Sequence, residues 1–296
     1  MPKWNASSLP SFAGRTVVVT GGTSGIGLVA ARELARAGAR TVFTARDEEK
    51  GARVAATIDG DVEVRPLDLA DLASVRAFAA AWEGDIDVLV NNAGVMMPPL
   101  GRTTDGFELQ VGTNHLGHFA LTNLLLDHVT DRVVTVASNA HKGGHIDFAD
   151  LNWESRSYSP TKAYYQSKLA NLLFTLELER RLRAGGSPVR AVAAHPGYAA
   201  TNLTASTTNP VMQIATKLGD RLIAQDDAAG ALPTLFAAAA EIPGGSYVGP
   251  DGPGEWRGAP VLVGRTHRAS DAETAKRLWA LSEELTGVAA PASIPA

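Results

Sequence analysis

The 296-residue sequence contains no cysteine. That absence excludes disulfides, thiolate nucleophiles and cysteine-based zinc or iron–sulfur centres, and it suits a reducing cytoplasm. Long apolar runs are missing as well: none reaches the roughly 18 residues that a membrane-spanning helix needs. Residues Met1 to Gly14 carry Lys3 with no apolar stretch behind it, so they do not read as a signal peptide. Excess charge of either sign is also lacking. A formal net charge of -4 offers no broad attraction to nucleic acid or an anionic membrane. The expectation is a soluble, cytoplasmic protein, with enough apolar residues (45%) for a sizeable core.

What is present is an alternation of strand-like and helix-like segments. Residues 15–20, 41–44, 62–65, 86–90, 132–136 and 189–193 read as short strands, many of them β-branched runs of the kind that is buried on both faces. Helical patterns lie between them at 26–37, 48–57, 72–82, about 106–128 and 161–183. Each parallel return needs a crossover. The alternation therefore predicts an α/β, doubly wound Rossmann-type domain, with helices on both faces of a mostly parallel seven-stranded sheet. The seventh strand is expected near residues 246–249. A single domain is expected over 1–296, with 14–137 mainly cofactor-binding, 138–250 catalytic and substrate-binding, and 285–296 a loose tail. Residues 198–225, rich in Thr, Ala and Asn, are expected to be mobile.

Thr20-Gly-Gly-Thr-Ser-Gly-Ile-Gly27 links the first strand to the first helix. Glycines there let the backbone approach a pyrophosphate, while the helix N-terminus offers free N–H groups and partial positive charge. A tight, closely packed strand-to-helix turn is the competing reading. No Gly-Lys-Ser/Thr follows, so the turn is not a P-loop.

The spacing Gly21, Gly25, Gly27 departs from G-x-G-x-x-G. With Thr20 it resembles the signature of the short-chain dehydrogenases/reductases. Asn91-Asn-Ala-Gly94, Ser138, Tyr164-Tyr-Gln-Ser-Lys168 and Pro196-Gly197 follow in that family's order, over about residues 14–204. The resemblance implies an oxidoreductase that moves a hydride between a nicotinamide cofactor and a small carbonyl or alcohol. It assigns Gly21, Thr23, Ser24, Gly25, Ile26 and Gly27 to the cofactor, and Asp68 and Leu69 to its adenine. Asn92, Ala93 and Gly94 are expected beside the cofactor, and Pro196, Gly197 and Thr201 beside its carboxamide. Asp68 as the cap of a helix starting near Asp71 stays open.

An NAD site normally ends the second strand with a carboxylate for the ribose 2′-OH. Here Ala45 stands in that place and Arg46 follows. A guanidinium suits a 2′-phosphate, so the expected cofactor is NADP(H). An ordinary solvated charge is the alternative for Arg46. Asp47 suits the N-cap of the next helix.

Carbonyl reduction needs a hydride at carbon and a proton for the developing alkoxide. Tyr164 and Lys168 are four apart and share one helical face, where an ammonium favours the phenolate and can hold the nicotinamide ribose hydroxyls, so both are also expected at the cofactor. Tyr158 and Lys162 repeat the spacing, but Pro160 between them argues against a continuous helix. Ser138 ends the fifth strand at the sheet edge where ligands bind; a turn cap is its alternative. The resemblance has Asn114 support a proton-relay water through a local helix irregularity; a satisfied core polar residue is the alternative. The expected catalytic set is Asn114, Ser138, Tyr164 and Lys168. His115 and His118 lack a third ligand, so no metal is assigned, and His195 reads as structural.

The lengthened interval 141–161, Asn114-His-Leu-Gly-His-Phe119 and Gln166-Ser-Lys-Leu-Ala-Asn171 resemble the retinol dehydrogenase and WW-domain oxidoreductase branch. That likeness implies apolar substrates, contacted by Met96-Met-Pro-Pro-Leu100, 139–158 and 198–225, and a homo-oligomer. The lack of a membrane anchor departs from membrane-bound members. A non-catalytic NADP(H)-binding sensor is the alternative, and the intact catalytic set argues against it.

Overall fold

The computed structural model describes residues 3–198 and 226–294. The strands are β1 (Thr16–Val19), β2 (Arg40–Ala45), β3 (Val62–Pro66), β4 (Ile86–Asn91), β5 (Val129–Val136), β6 (Arg190–Ala194), β7 (Tyr247–Pro250) and β8 (Pro260–Leu262). They form one sheet in the order β3-β2-β1-β4-β5-β6-β7-β8. Every pair is parallel except β7 with β8. The sheet therefore has eight strands among the described residues, where seven were expected. The extra one is three residues long, starts with proline and exposes Val261 and Leu262, so it carries no apolar alternation.

The helices are α1 (Gly25–Arg36), α2 (Glu48–Ala55), α3 (Leu72–Ala80), α4 (Leu109–Val111), α5 (Gly117–Leu125), α6 (Pro160–Ala184), α7 (Asp227–Ala239) and α8 (Ala272–Thr286). Both faces of the sheet are covered, and β1 shows how. Val17 and Val19 pack among side chains of α1 and α7, whereas Val18 packs with those of α3, α5 and α6. This strict alternation is the pleat expressed as burial. The helix expected over about 106–128 is interrupted. Residues 106–108 precede it, and a π-helical turn, Gly112–Leu116, joins α4 to α5.

The tail expected to be loose is docked through Ile294. Val288 and Ile294 are buried in the core cluster, and Ser293 Oγ donates to Asp127 Oδ1 at 2.7 Å. Two isolated apolar residues have no period to read, yet each fills space in that core. Trp279 of α8 stacks on Phe174 of α6 and meets Phe119 of α5 edge-on. Thr201 and most of the 198–225 segment lie outside the described residues. Among the described residues no helix is long and apolar enough to cross a membrane.

β1 lies between β2 and β4, so the chain reverses its winding there. In open α/β sheets a crevice opens at such a point, outside the carboxyl ends of the strands.

Candidate active site

A cleft of about 550 Å³ occupies that crevice. Gly21, Thr23, Ser24, Gly25, Ile26 and Gly27 line it after β1, and Arg46 after β2. Asp68 and Leu69 follow β3, and Asn92, Ala93 and Gly94 follow β4. Tyr164, Lys168 and Pro196 complete the expected lining. Residues as far apart in sequence as Gly21 and Pro196 thus meet because the strands before them end at one edge.

The glycine turn is built for close approach. A Cβ on Gly27 would lie 2.3 Å from the Gly21 carbonyl oxygen and 2.4 Å from Asn92 Nδ2, so no other residue fits without moving backbone. Asn92 Nδ2 donates to the Thr20 carbonyl at 2.8 Å, tying the turn to the loop after β4. Ser24, the N-cap of α1, makes no side-chain capping bond. The first-turn amides of α1 therefore keep their donors for an anion, and a dinucleotide pyrophosphate fits the residues present.

Thr20 and His118 form a link that sequence reasoning missed. Thr20 Oγ1 accepts from the N–H groups of Asn92 (2.9 Å) and Ala93 (3.0 Å) and lies 2.9 Å from His118 Nε2. His118 Nδ1 is 3.0 Å from the Asn114 carbonyl, which only accepts, so Nδ1 carries the proton and Nε2 accepts from Thr20. His115 bonds to Ser282 Oγ instead. Burial pushes the His118 imidazole down to about 4 and that of His115 to about 3. Both histidines are thus bound inside the core.

Asn114 sits in the π turn and does not line the cleft. Its Nδ2 donates to the Val95 carbonyl and to Ser167 Oγ, and its Oδ1 accepts from Val95 N–H. The helix irregularity implied by the resemblance is present, while the side-chain amide is committed to the backbone beside Gly94. Gly94 needs its small size here: an added Cβ would meet Asn114 Oδ1 at 3.0 Å.

Ser159 caps α6 and Pro160 opens it, so Tyr158 falls outside the helix. Tyr164 and Lys168 share its cleft-facing side, with Nζ 5.8 Å from the phenol ring centroid. Lys168 Nζ donates to the Val136 carbonyl at 3.1 Å. Burial pushes the Lys168 ammonium down to about 8 and the Tyr164 phenol up to about 12. The Ser138 hydroxyl pulls that phenol the other way. Ser138 Oγ accepts from Ala140 N–H at 3.1 Å, which leaves its own proton and a second lone pair for the phenol group or a substrate oxygen. Burial thus outweighs the stabilisation of phenolate expected from the neighbouring lysine.

Gly197 turns its N–H to His195 Nδ1 at 3.2 Å and does not line the cleft. His195 Nε2 then holds the proton and meets Glu255 Oε2 at 3.1 Å. Asp47 caps α2, as expected. Asp71 caps α3, which frees Asp68 from that role, although Asp68 Oδ1 accepts from Ala70 N–H. Arg46 is exposed and forms no ion pair among the described residues. Leu67, Val95, Thr113, Val136 and Ala137 also line the cleft and were missed. Most adjoin an expected residue, so strand-end geometry was their only signal.

The profile of the short chain dehydrogenase family matches residues 15–211. The chain belongs to that family. This short-chain dehydrogenase is 43% identical over 309 residues to retinol dehydrogenase 13 of Homo sapiens, covering 96% of this chain and 88% of the relative. Polyprenol dehydrogenase of Mus musculus is 41% identical over 298 residues, covering 94% and 86%. These relatives place it in the retinol dehydrogenase branch. A solved structure of an uncharacterized protein from Mycobacterium Paratuberculosis is 55% identical, with a TM-score of 0.87, covering 98% of this chain and 100% of that one. Short-chain dehydrogenases are NAD(P)-dependent oxidoreductases.

Proposed function

We propose that this chain is an NADP(H)-dependent oxidoreductase that transfers a hydride between nicotinamide and an apolar carbonyl or alcohol, with Tyr164 as general acid/base. The observation that carries the reading is the buried Tyr164 phenol, under the influence of Ser138, in the same cleft as Lys168. When bound, the nicotinamide supplies or accepts the hydride.

With its pKa raised to about 12, Tyr164 keeps its proton at neutral pH and can donate it to the carbonyl oxygen as charge develops there. Ser138 donates to the phenol oxygen and steadies the phenolate left behind. Lys168, charged below about pH 8, favours that phenolate through space. In the alcohol-to-carbonyl direction the same groups take the proton up. Arg46, exposed at the rim beside Ala45, supports a 2′-phosphate and hence NADP(H). Met96, Pro98 and Leu109 in the lining favour an apolar substrate, as do relatives named for retinol and polyprenol.

The test is a panel of aliphatic and prenyl aldehydes followed by NADPH absorbance, with Tyr164→Phe as control. The variant is expected to lose about 10²–10⁴-fold in kcat while NADPH binding stays within a few-fold. Retained turnover removes Tyr164 from its role. NADPH binding by the wild type, with no turnover on any carbonyl, favours a nucleotide sensor instead.

A further inference from the structure

The second Tyr-x-x-x-Lys pair has a structural setting of its own. Tyr158 does not line the cleft; its hydroxyl donates to Glu108 Oε1 at 3.0 Å and accepts from Gln110 Nε2 at 2.9 Å. Glu108 is fully buried, and its carboxylate also accepts from the N–H groups of Gln110 and Val111, capping α4. Its own N–H donates to Asn152 Oδ1, which joins the 141–161 insert to the same centre. Every oxygen of the buried carboxylate is therefore answered by a donor.

Gln110 completes the assembly. Its Nε2 donates a second bond to the Pro160 carbonyl, and its Oε1 accepts from Met97 N–H at 2.9 Å. Met97 has φ 51, in the left-handed region that a branched or long side chain seldom occupies. Such a backbone persists only where surrounding bonds over-determine it. Its neighbours on either side, Met96 and Pro98, line the cleft, as does Leu109 on α4. The bonds around Glu108 thus hold an apolar wall in a conformation that the chain alone disfavours.

We propose that Gln110 and Tyr158, anchored on buried Glu108, are positioning residues that fix Met96 and Pro98 as an apolar wall of the cleft and select elongated apolar carbonyl substrates. The proposal rests on the oxidoreductase reading above. None of the three residues touches the reacting atoms, so their loss acts on fit and leaves the chemical step alone. Substrates too short to reach the wall are indifferent to it.

The test compares propanal with decanal, NADPH in excess, in wild type, Gln110→Ala and Tyr158→Phe. Gln110→Ala is expected to raise KM for decanal about tenfold while kcat and the propanal KM stay within about twofold. Tyr158→Phe is expected to act in the same direction with a smaller change, because Gln110 keeps its bond to Pro160. Hydrogen exchange at the Met97 amide should speed up in Gln110→Ala, and the NADPH Kd should not move. Equal loss on both aldehydes, or an unchanged decanal-to-propanal ratio in both variants, overturns the proposal. Should Gln110→Ala fail to fold, the milder Tyr158→Phe decides on the same ratio. A wild type that binds NADPH and reduces neither aldehyde sinks the oxidoreductase reading instead, an outcome distinct from a failed clamp.

Discussion

Asn114 and Val95 exchange two hydrogen bonds: Val95 N–H donates to Asn114 Oδ1 at 2.8 Å, and Asn114 Nδ2 donates to the Val95 carbonyl at 2.9 Å. A fully buried side-chain amide here pairs with a backbone unit as a neighbouring strand would. Asn114→Asp replaces Nδ2 with an oxygen that faces the Val95 carbonyl. An expected loss of about 1–3 kcal/mol in urea unfolding follows from the unanswered acceptors. Unchanged stability at pH 7 would show that the loop after Gly94 does not depend on this pairing.

Arg46→Asp should exchange attraction for repulsion at a 2′-phosphate. The ratio of kcat/KM for NADPH over NADH is expected to fall roughly 10- to 100-fold, in line with the loss of a charge-assisted hydrogen bond. Steady-state kinetics with both nucleotides reads this directly. An unchanged ratio removes Arg46 from nucleotide selection.

Lys168 has its pKa depressed by burial from 10.5 to about 8. Between those values the unfolded chain binds a proton that the folded chain has released, so stability rises with pH across that window. Lys168→Met is expected to flatten the rise. Chemical denaturation of both proteins at pH 8 and pH 10 gives the comparison, and parallel slopes would contradict it.

His115 and His118 give the acid-side counterpart. Their folded values, about 3 and about 4, lie below the ordinary 6.5, so the stability they contribute is present above 6.5 and is lost as pH falls toward 4. Each histidine adds up to about 1.4 kcal/mol per pH unit in that window. His118→Gln should show a shallower acid limb in melting temperature against pH. An identical limb would place the acid sensitivity elsewhere.

The parallel strands were legible because buried strands such as Val17-Val-Val19 and Val133-Val134 are dense in β-branched residues, and the crossover rule then orders the winding. β8 was not, since a proline and two exposed residues look like loop. The placement of Tyr164 and Lys168 on one helix was legible too: Pro160 separates Tyr158 from Lys162 in sequence, and in the structure it opens α6 after Tyr158. Hidden from the sequence were contacts made at long range by residues with ordinary local roles. Thr20 reads as a turn residue until His118, 98 positions later, is found against its hydroxyl. Glu108 carries no local signal, and Tyr158, 50 positions on, is found donating to it. The burial that sets the Tyr164 and Lys168 pKa values is likewise a property of the whole packing, which no motif encodes.

Trp279 of α8, stacked on Phe174 with its ring centroid 5.7 Å away, also sets a schedule for synthesis. A chain made from its amino end can pair β1 with β2 and β4 early, so the amino-terminal half of the sheet can begin to assemble while translation continues. The helix that carries Tyr164 and Lys168 must wait. Its outward aromatic face has no cover until residues 272–286 have left the ribosome, more than 100 positions after Lys168 was added. During that interval Phe119 and Phe174 lack the indole that covers one side of each, and it is there that chaperone binding or aggregation would strike.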